Sequence, residues 1–353
     1  MFDYAGSIHF HSDASYDARV PLDDILKDAS GAGLDFAIVT DHFRLDAQQS
    51  RGRGYVDTFQ KPVLLIIGEE ISPRYNHYLA LGLKNPIVTW KGDTHAQHYI
   101  DEVAAQGGFG FISHPDHDGA PLIGSRAYPW IDWTVRGYSG LGIWDLASDW
   151  ASSLTSVWQT FLSCWRPALA LKGPNPKTLA RWDALTLNEH CVAIGEIDNH
   201  AHTRSFFGIK RVIFPFNFAF RTIRTHILVE KPLTLSAPDD EKIILSAIKK
   251  GQSYVSLDLW KDPRGFSFTI FDNQNHSLPG GELTRRGATL LEAKLPSDGK
   301  LRLIRDGRLV KEEVRRTALQ WDVDLPGVYR IEAHQHIAGR WRPWIYSNPI
   351  WVK

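Results

Sequence analysis

His9-Phe10-His11 opens a series of imidazoles and carboxylates that recurs through the first two-thirds of the chain, each set at the end of a short apolar run. Ser7-Ile8 leads into His9 and His11, Phe36-Ala-Ile-Val39 into Thr40-Asp41-His42, and Val63-Leu-Leu-Ile-Ile67 into Gly68-Glu69-Glu70. His77 precedes Tyr78-Leu-Ala-Leu81, Phe109-Gly-Phe-Ile112 runs into Ser113-His114-Pro115, and Val192-Ala-Ile194 into Gly195-Glu-Ile-Asp198-Asn-His200. If each run is a β-strand, residues i and i+2 share a face, so His9 with His11 and Asp198 with His200 can converge on one point. These are the donors that Zn, Mn and Fe accept. One HxH motif says little; ligands in register at the same end of successive strands point to a multinuclear metal site.

The elements that must position them alternate strand and helix. Helical stretches are expected from Leu22 to Ser30 after Pro21, from Thr94 to Gln106, from Thr178 to Glu189 and from Pro238 to Lys250. This alternation predicts a mostly parallel sheet, closed into a barrel or doubly wound, and a barrel gathers catalytic groups at the C-terminal ends of its strands. From about Ser267 the pattern becomes alternating runs broken by turn residues, with Arg305-Asp306-Gly307-Arg308 as a hairpin turn. The reading is an α/β domain over residues 1–262 and a small all-β, sandwich-like domain over 263–353.

Composition narrows the function classes. Lys+Arg and Asp+Glu both total 40 in 353 residues, so no overall field draws the chain to nucleic acid. Two cysteines, Cys164 and Cys191, exclude a disulfide framework and a cysteine-built metal site. The N-terminus shows no signal-like segment, and Asp145, Asp149, Gln159 and Arg166 interrupt the apolar stretch from Trp144 to Leu171. A cytoplasmic protein without a membrane span is expected.

The ordered set His9-x-His11-Ser12, Ser15-Tyr16-Asp17, Thr40-Asp41-His42, Gly68-Glu-Glu70-Ile-Ser72, His77-Tyr-Leu-Ala-Leu-Gly82, Ser113-His114-Pro115 and Asp198-x-His200 resembles the PHP (polymerase and histidinol phosphatase) metallohydrolases over about residues 5–230. The tail Trp344-Ile-Tyr-Ser-Asn-Pro-Ile-Trp351 resembles that of the branch of this family named after bacterial carbaryl hydrolases. The resemblance implies a distorted (β/α)7 barrel with two to three divalent metals, whose identity among Zn, Mn and Fe stays open. Carried over, His9, His11, Glu70 and Asp198 hold the first metal. Glu70 bridges to a second held by His77 and His114, and Asp17, His42 and His200 hold the third. Ala18 stands where many members have glycine, Ile197 replaces a small residue, and Asp13 competes with Asp17. The implied reaction is hydrolysis of a small organic phosphomonoester or phosphodiester by a metal-bridging hydroxide, with Glu70 and Asp198 central to it.

Around this set, His117 and His202 are candidates for protonating a leaving group. Arg44 is a candidate phosphate clamp, ahead of Arg204, Arg221 and Arg224. Seven tryptophans lie between Tyr128 and Trp182; they suit a pocket for an apolar or aromatic part of a small-molecule substrate, a membrane-facing or dimer surface, or plain packing. Leu146, Trp150, Leu154, Val157 and Phe161 fall at helical spacing. Two other functions fit the same ligands: hydrolysis of a carbamate, ester or amide, and a non-catalytic metal-binding scaffold. Oligomeric state is not legible.

Overall fold

The computed structural model describes residues 1–46, 54–56, 61–206 and 209–353. The N-terminal region contributes β1 (Phe2–Ile8), α1 (Leu22–Gly31), β2 (Phe36–Val39), β3 (Gly54–Val56), β4 (Val63–Ile67), β5 (Glu69–Ile71) and β6 (Tyr78–Leu81). Next come α2 (Gln97–Ala105), β7 (Phe109–Ile112), β8 (Gly140–Asp145), α3 (Leu146–Ser152), α4 (Val157–Trp165), α5 (Pro167–Ala170), α6 (Pro176–Thr186) and β9 (Val192–Glu196). The hairpin β10 (Thr203–Phe206) and β11 (Ile209–Val212), the short α7 (Phe216–Ala219), β12 (Ile223–Val229), α8 (Ala237–Lys250) and β13 (Ser253–Leu257) complete this part. The C-terminal strands are β14 (Ser267–Phe271), β15 (His276–Ser277), β16 (Glu282–Leu283), β17 (Leu290–Arg305), β18 (Arg308–Asp322), β19 (Gly327–Ile337), β20 (Arg340–Ser347) and β21 (Ile350–Val352).

The fold is mixed α/β, dominated by a large sheet that runs through β20, β13, β12, β1, β2 and β4, and by a five-stranded sheet ordered β5 to β9. Strands β1, β2 and β4 are parallel, as are β7, β8 and β9. The expected mostly parallel arrangement gives way at β5, β6 and β7, which pair antiparallel, and again where β12 pairs with β1 and β13 and β3 with β4, all antiparallel. Residues 72–77 between β5 and β6 are too few for a crossover, which takes a dozen or more. The two sheets are stitched together at both margins: Ile197 N donates to Ile8 O (3.1 Å) and His11 N to Asn199 O (3.0 Å), while Gly68 N donates to Val39 O (2.8 Å) and Glu70 N to Asp41 O (3.3 Å). The chain crosses from one sheet to the other at Gly68, where a Cβ would come within 2.6 Å of Leu81 Cδ2 and 2.9 Å of Ala80 O.

The apolar runs are continuous because both faces of these strands are buried. Along β4, Val63, Leu65 and Ile67 join the cluster containing Ile25 and Leu26 of α1, while Leu64 and Ile66 join a second cluster with Phe36, Phe111, Ile194 and Ile248 of α8. Helix ends are conventional: α8 has Asp239 and Asp240 in its first turn, Lys249 and Lys250 in its last, and Gly251 at φ 71° as its cap. A third cluster, containing Phe268, Leu291, Leu303, Ile331 and Trp344, lies among the C-terminal strands. Antiparallel pairing of β20 with β13 makes those strands an extension of the large sheet. Asp306 and Gly307, at φ 50° and 73°, form the expected hairpin turn. Among the described residues, no helix is long and apolar enough to cross a membrane.

The 146–161 stripe does not survive as one helix. α3 ends at Ser152 and α4 restarts at Val157 with Ser156 as its cap, so the phase is lost. Leu146, Trp150 and Leu154 are buried, whereas Val157 is 68% exposed.

Candidate metal centre

The strand ends are not regular where the ligands sit. β1 stops at Ile8, and His9, His114 and Asp198 have positive φ (68°, 27° and 40°), a region that non-glycine residues rarely enter and that concentrates at functional sites. His9 and His11 therefore converge through a left-handed turn, not as neighbours on a strand face. Phe10 then bridges to Asn199, which brings the first and last motifs side by side.

The nine residues meet in three adjoining groups, and within each group the ligand atoms lie within 4.8 Å of one another: His9, His11, Glu70 and Asp198; Glu70, His77 and His114; and His11, Asp17, His42 and His200. Glu70 divides its oxygens between them. Its Oε1 lies 2.8 Å from His77 Nδ1 and 3.4 Å from His114 Nε2, while Oε2 lies 3.2 Å from His9 Nε2, 3.3 Å from His11 Nε2 and 3.1 Å from His42 Nδ1. Asp198 Oδ1 sits 3.4 Å from the Nε2 of both His9 and His11. Asp17 Oδ2 lies 3.1 Å from His42 Nε2 and 3.3 Å from His200 Nε2, and the competing Asp13 is exposed.

Six buried atoms here have no hydrogen-bond partner among the described residues: His9 Nε2, His11 Nε2, His11 Nδ1, Glu70 Oε2, His114 Nδ1 and Asp198 Oδ1. Each such atom costs about 1–3 kcal/mol when left unsatisfied. Converging nitrogen and oxygen donors of this kind fit divalent transition metals. The local field agrees. Burial alone would raise the carboxyls, yet His9, His42 and His77 hold Glu70 well below its usual range, and His9 and His11 do the same for Asp198. Burial would lower His9, but Glu70 and Asp198 pull it well up. The same attraction for positive charge serves a cation.

Several positioning groups were not singled out from the sequence. Glu196 is wholly buried: its Oε2 lies 3.0 Å from His9 Nδ1 and accepts from Ser113 Oγ (2.7 Å), while Oε1 accepts from His114 N (2.7 Å). Asp41 accepts from Ser12 N and Oγ, both at 2.7 Å, and Ser72 Oγ lies 2.6 Å from His42 Nδ1. The signal that could have found Glu196 is its i−2 spacing from Asp198.

A cavity of about 750 Å³ opens over this cluster, with Phe43, Ile123, Trp150, Ile213 and Phe214 in its wall and Arg74, Lys91 and Arg126 also lining it. Among the described residues, none of these three cations is in an ion pair, whereas Arg44 lies outside the lining, half exposed and paired with Asp46. Arg44, where a phosphate clamp was expected, is thus a surface ion pair. Arg224 is held by Phe220 O, Ala32 O and Asp258, and Arg221 by Gly31 O, so neither reaches the cavity. The Arg204 side chain lies outside the described ones. His117 and His202 both line the cavity. His117 is buried with Nδ1 2.8 Å from Ser148 Oγ, and burial together with His114 pushes its pKa down to about 4. His202 is exposed and stacks on His200 at 5.0 Å between centroids. Of the clustered tryptophans, Trp130, Trp144, Trp150 and Trp182 are buried, and Trp158 and Trp165 are exposed.

No family model and no curated protein matches the chain. Among solved structures, an amidohydrolase from Chromobacterium violaceum with bound sulfate and no metal is 13% identical, the match covering 59% of this chain and 94% of that one, with a TM-score of 0.33. A likeness of that size carries no argument about activity.

Proposed function

We propose that the chain is a metal-dependent hydrolase of small organic phosphoesters, with His9, His11, Asp17, His42, Glu70, His77, His114, Asp198 and His200 holding two to three divalent ions. The observation that carries this reading is the meeting of all nine residues in three adjoining groups, two of which share Glu70, whose oxygens face separate imidazoles. The stitched margins of the two sheets support a distorted barrel of the PHP kind, and the separate apolar cluster supports a β unit over residues 263–353.

Divalent ions held by these nine residues would supply Lewis acidity and an activated water for the hydrolysis. The protein supplies placement and field. Glu196 fixes His9 and the His114 backbone, and Asp41 fixes the turn after His11. Arg74, Lys91 and Arg126 make the cavity attractive to an anionic ester, an electrostatic preference that a neutral carbamate or amide does not exploit. The apolar wall with Trp150 and Phe214 suits an aromatic or aliphatic leaving group. His117, held neutral around pH 7 by burial and His114, does not suit the expected protonation of a leaving group, which leaves the exposed His202 in the cavity lining as the candidate for it.

The test is turnover by metal-reconstituted protein of 4-nitrophenyl phosphate, bis(4-nitrophenyl) phosphate and 1-naphthyl N-methylcarbamate, with Zn, Mn or Fe added. Hydrolysis of a phosphoester, weakened when Arg74 and Lys91 are replaced by Gln, is expected. Turnover confined to the carbamate would replace the phosphoester reading, and full metal loading without turnover of any substrate would favour a binding scaffold.

A further inference from the structure

Helix α4 is amphipathic in the wrong sense for a surface helix. Its buried positions are Thr160 (7% exposed), Ser163 (7%) and Cys164 (2%), whereas Val157 (68%), Trp158 (68%), Leu162 (45%) and Trp165 (46%) face outward, continued by Leu169 (42%) in α5. A globular helix normally directs its apolar stripe inward, and a contiguous exposed patch of this kind marks an interaction surface. The aromatic side chains are already ordered against one another, with Trp158 and Phe161 stacked at 5.8 Å and Phe161 beside Trp165 at 5.9 Å. The helix is anchored through Ser163 O, which accepts from Trp150 Nε1 at 3.2 Å, so the patch sits on a fixed element beside the large cavity.

Charge within the segment that carries the patch has one sign. Residues 150–182 contain Arg166, Lys172, Lys177 and Arg181 and no Asp or Glu. Arg211 of the neighbouring hairpin lies over the Trp165 ring, with its guanidinium carbon 4.8 Å from the centroid, and Arg342 donates to Leu169 O at 3.3 Å. Lys177 and Arg181 approach Asp118 and Asp116 at 3.9 Å, but among the described residues Arg166, Arg211 and Arg342 are in no ion pair. A second copy docked through a two-fold contact would set these arginines against their own counterparts, with no carboxylate from 150–182 to offset them.

We infer that the α4–α5 face docks on an anionic lipid bilayer surface, with Trp158, Leu162, Trp165 and Leu169 entering the headgroup boundary and Arg166, Arg211 and Arg342 meeting lipid phosphates. Tryptophan and leucine ringed by arginine is the composition that partitions to such a boundary without spanning it. The inference stands independently of the hydrolase reading, since none of these residues belongs to the metal centre.

Flotation of the full chain with vesicles tests it, comparing pure phosphatidylcholine with phosphatidylcholine containing phosphatidylserine. Binding to the anionic vesicles is expected, weakening as salt is raised. Arg166→Gln should lower partitioning about fivefold, and Trp158→Ser with Trp165→Ser should abolish it while the circular dichroism spectrum stays unchanged. No binding at low salt, equal binding to the neutral vesicles, or undiminished binding by the double tryptophan variant would each overturn the inference. So would a concentration-dependent dimer that the double variant loses, if vesicles are not bound, because that result assigns the face to a second copy.

Discussion

Glu69 and Glu70 are adjacent carboxylates with opposite fates, because successive residues of a strand point to opposite sides. Glu69 turns away from the imidazoles, accepts from Ile87 N with both oxygens (3.1 and 3.0 Å), and is pushed by burial up to about 8. Glu70 faces the histidines and stays anionic. Glu70→Gln keeps the shape but removes the charge shared by two ligand groups. Metal content by plasma emission should fall and turnover should drop by orders of magnitude, while the far-ultraviolet spectrum stays native; unchanged metal content would refute the bridging assignment. Glu196 acts one layer out. With its carboxylate accepting from His9 Nδ1, the Nε2 lone pair is left for a cation, the usual way a carboxylate orients a metal-binding imidazole. Glu196→Gln should weaken metal binding by roughly 10–100-fold, read by competition with a chromophoric chelator. The His9 ring nitrogen shifts in NMR should report a changed tautomer balance, and identical chelator competition in variant and parent would show Glu196 to be packing alone.

Strand ends, not strand faces, assemble the centre, and β8 shows how tightly. A Cβ on Gly142 would lie 1.6 Å from Glu196 Oε1, so β8 must carry glycine for Glu196 to reach His9 and His114. Gly142→Ala should therefore displace Glu196, lowering metal affinity and costing about 1–3 kcal/mol of stability, as overpacking in a dense core does; a urea titration and a metal titration check both halves. The sequence showed which residues the fold gathers into one cluster, because imidazoles and carboxylates at the ends of apolar runs carry a local chemical signature. It did not show how His9 and His11 converge, since a left-handed turn at a histidine has no pattern of its own. Glu196 went unseen because its role depends on partners more than 80 residues away in sequence, Ser113 and His114. Arg44 was favoured for following a motif, yet Arg74, Lys91 and Arg126 reach the cavity from separate loops that only the folded chain brings together. The mixed pairing of β5 to β7 was hidden because short parallel and antiparallel strands share one apolar signature.

The first and later strands of the large sheet are locked by a buried ion cluster separate from the candidate metal centre. His226 on β12 is fully buried, with Nδ1 2.7 Å from Asp3 Oδ1 on β1 and Nε2 3.0 Å from Asp258 Oδ2 just after β13; Tyr254 Oη donates to Asp3 at 2.6 Å. Arg224 and Arg264, which also charge this neighbourhood, pair with Asp258 (3.2 Å) and Asp35 (3.4 Å). Burial would lower the imidazole, but Asp258 and Asp3 override it and push His226 from 6.5 up to about 9. A histidine whose folded pKa is raised contributes stability fully below its unfolded pKa, and that contribution is lost as pH rises through the folded value. Asp258, held low by His226 against the effect of burial, contributes in the other direction, losing its share only in acid. Stability should accordingly fall from about pH 6.5 to about pH 9 by something on the order of 3 kcal/mol. His226→Gln should be less stable at pH 6.5 and lose most of that slope, because the amide keeps its hydrogen bonds without a titrating proton. Urea midpoints for parent and variant across this window measure the difference directly, with every other titrating group, the metal ligands included, common to both; parallel curves would show that His226 is neutral in the folded chain and that the cluster holds the sheet together by hydrogen bonds alone.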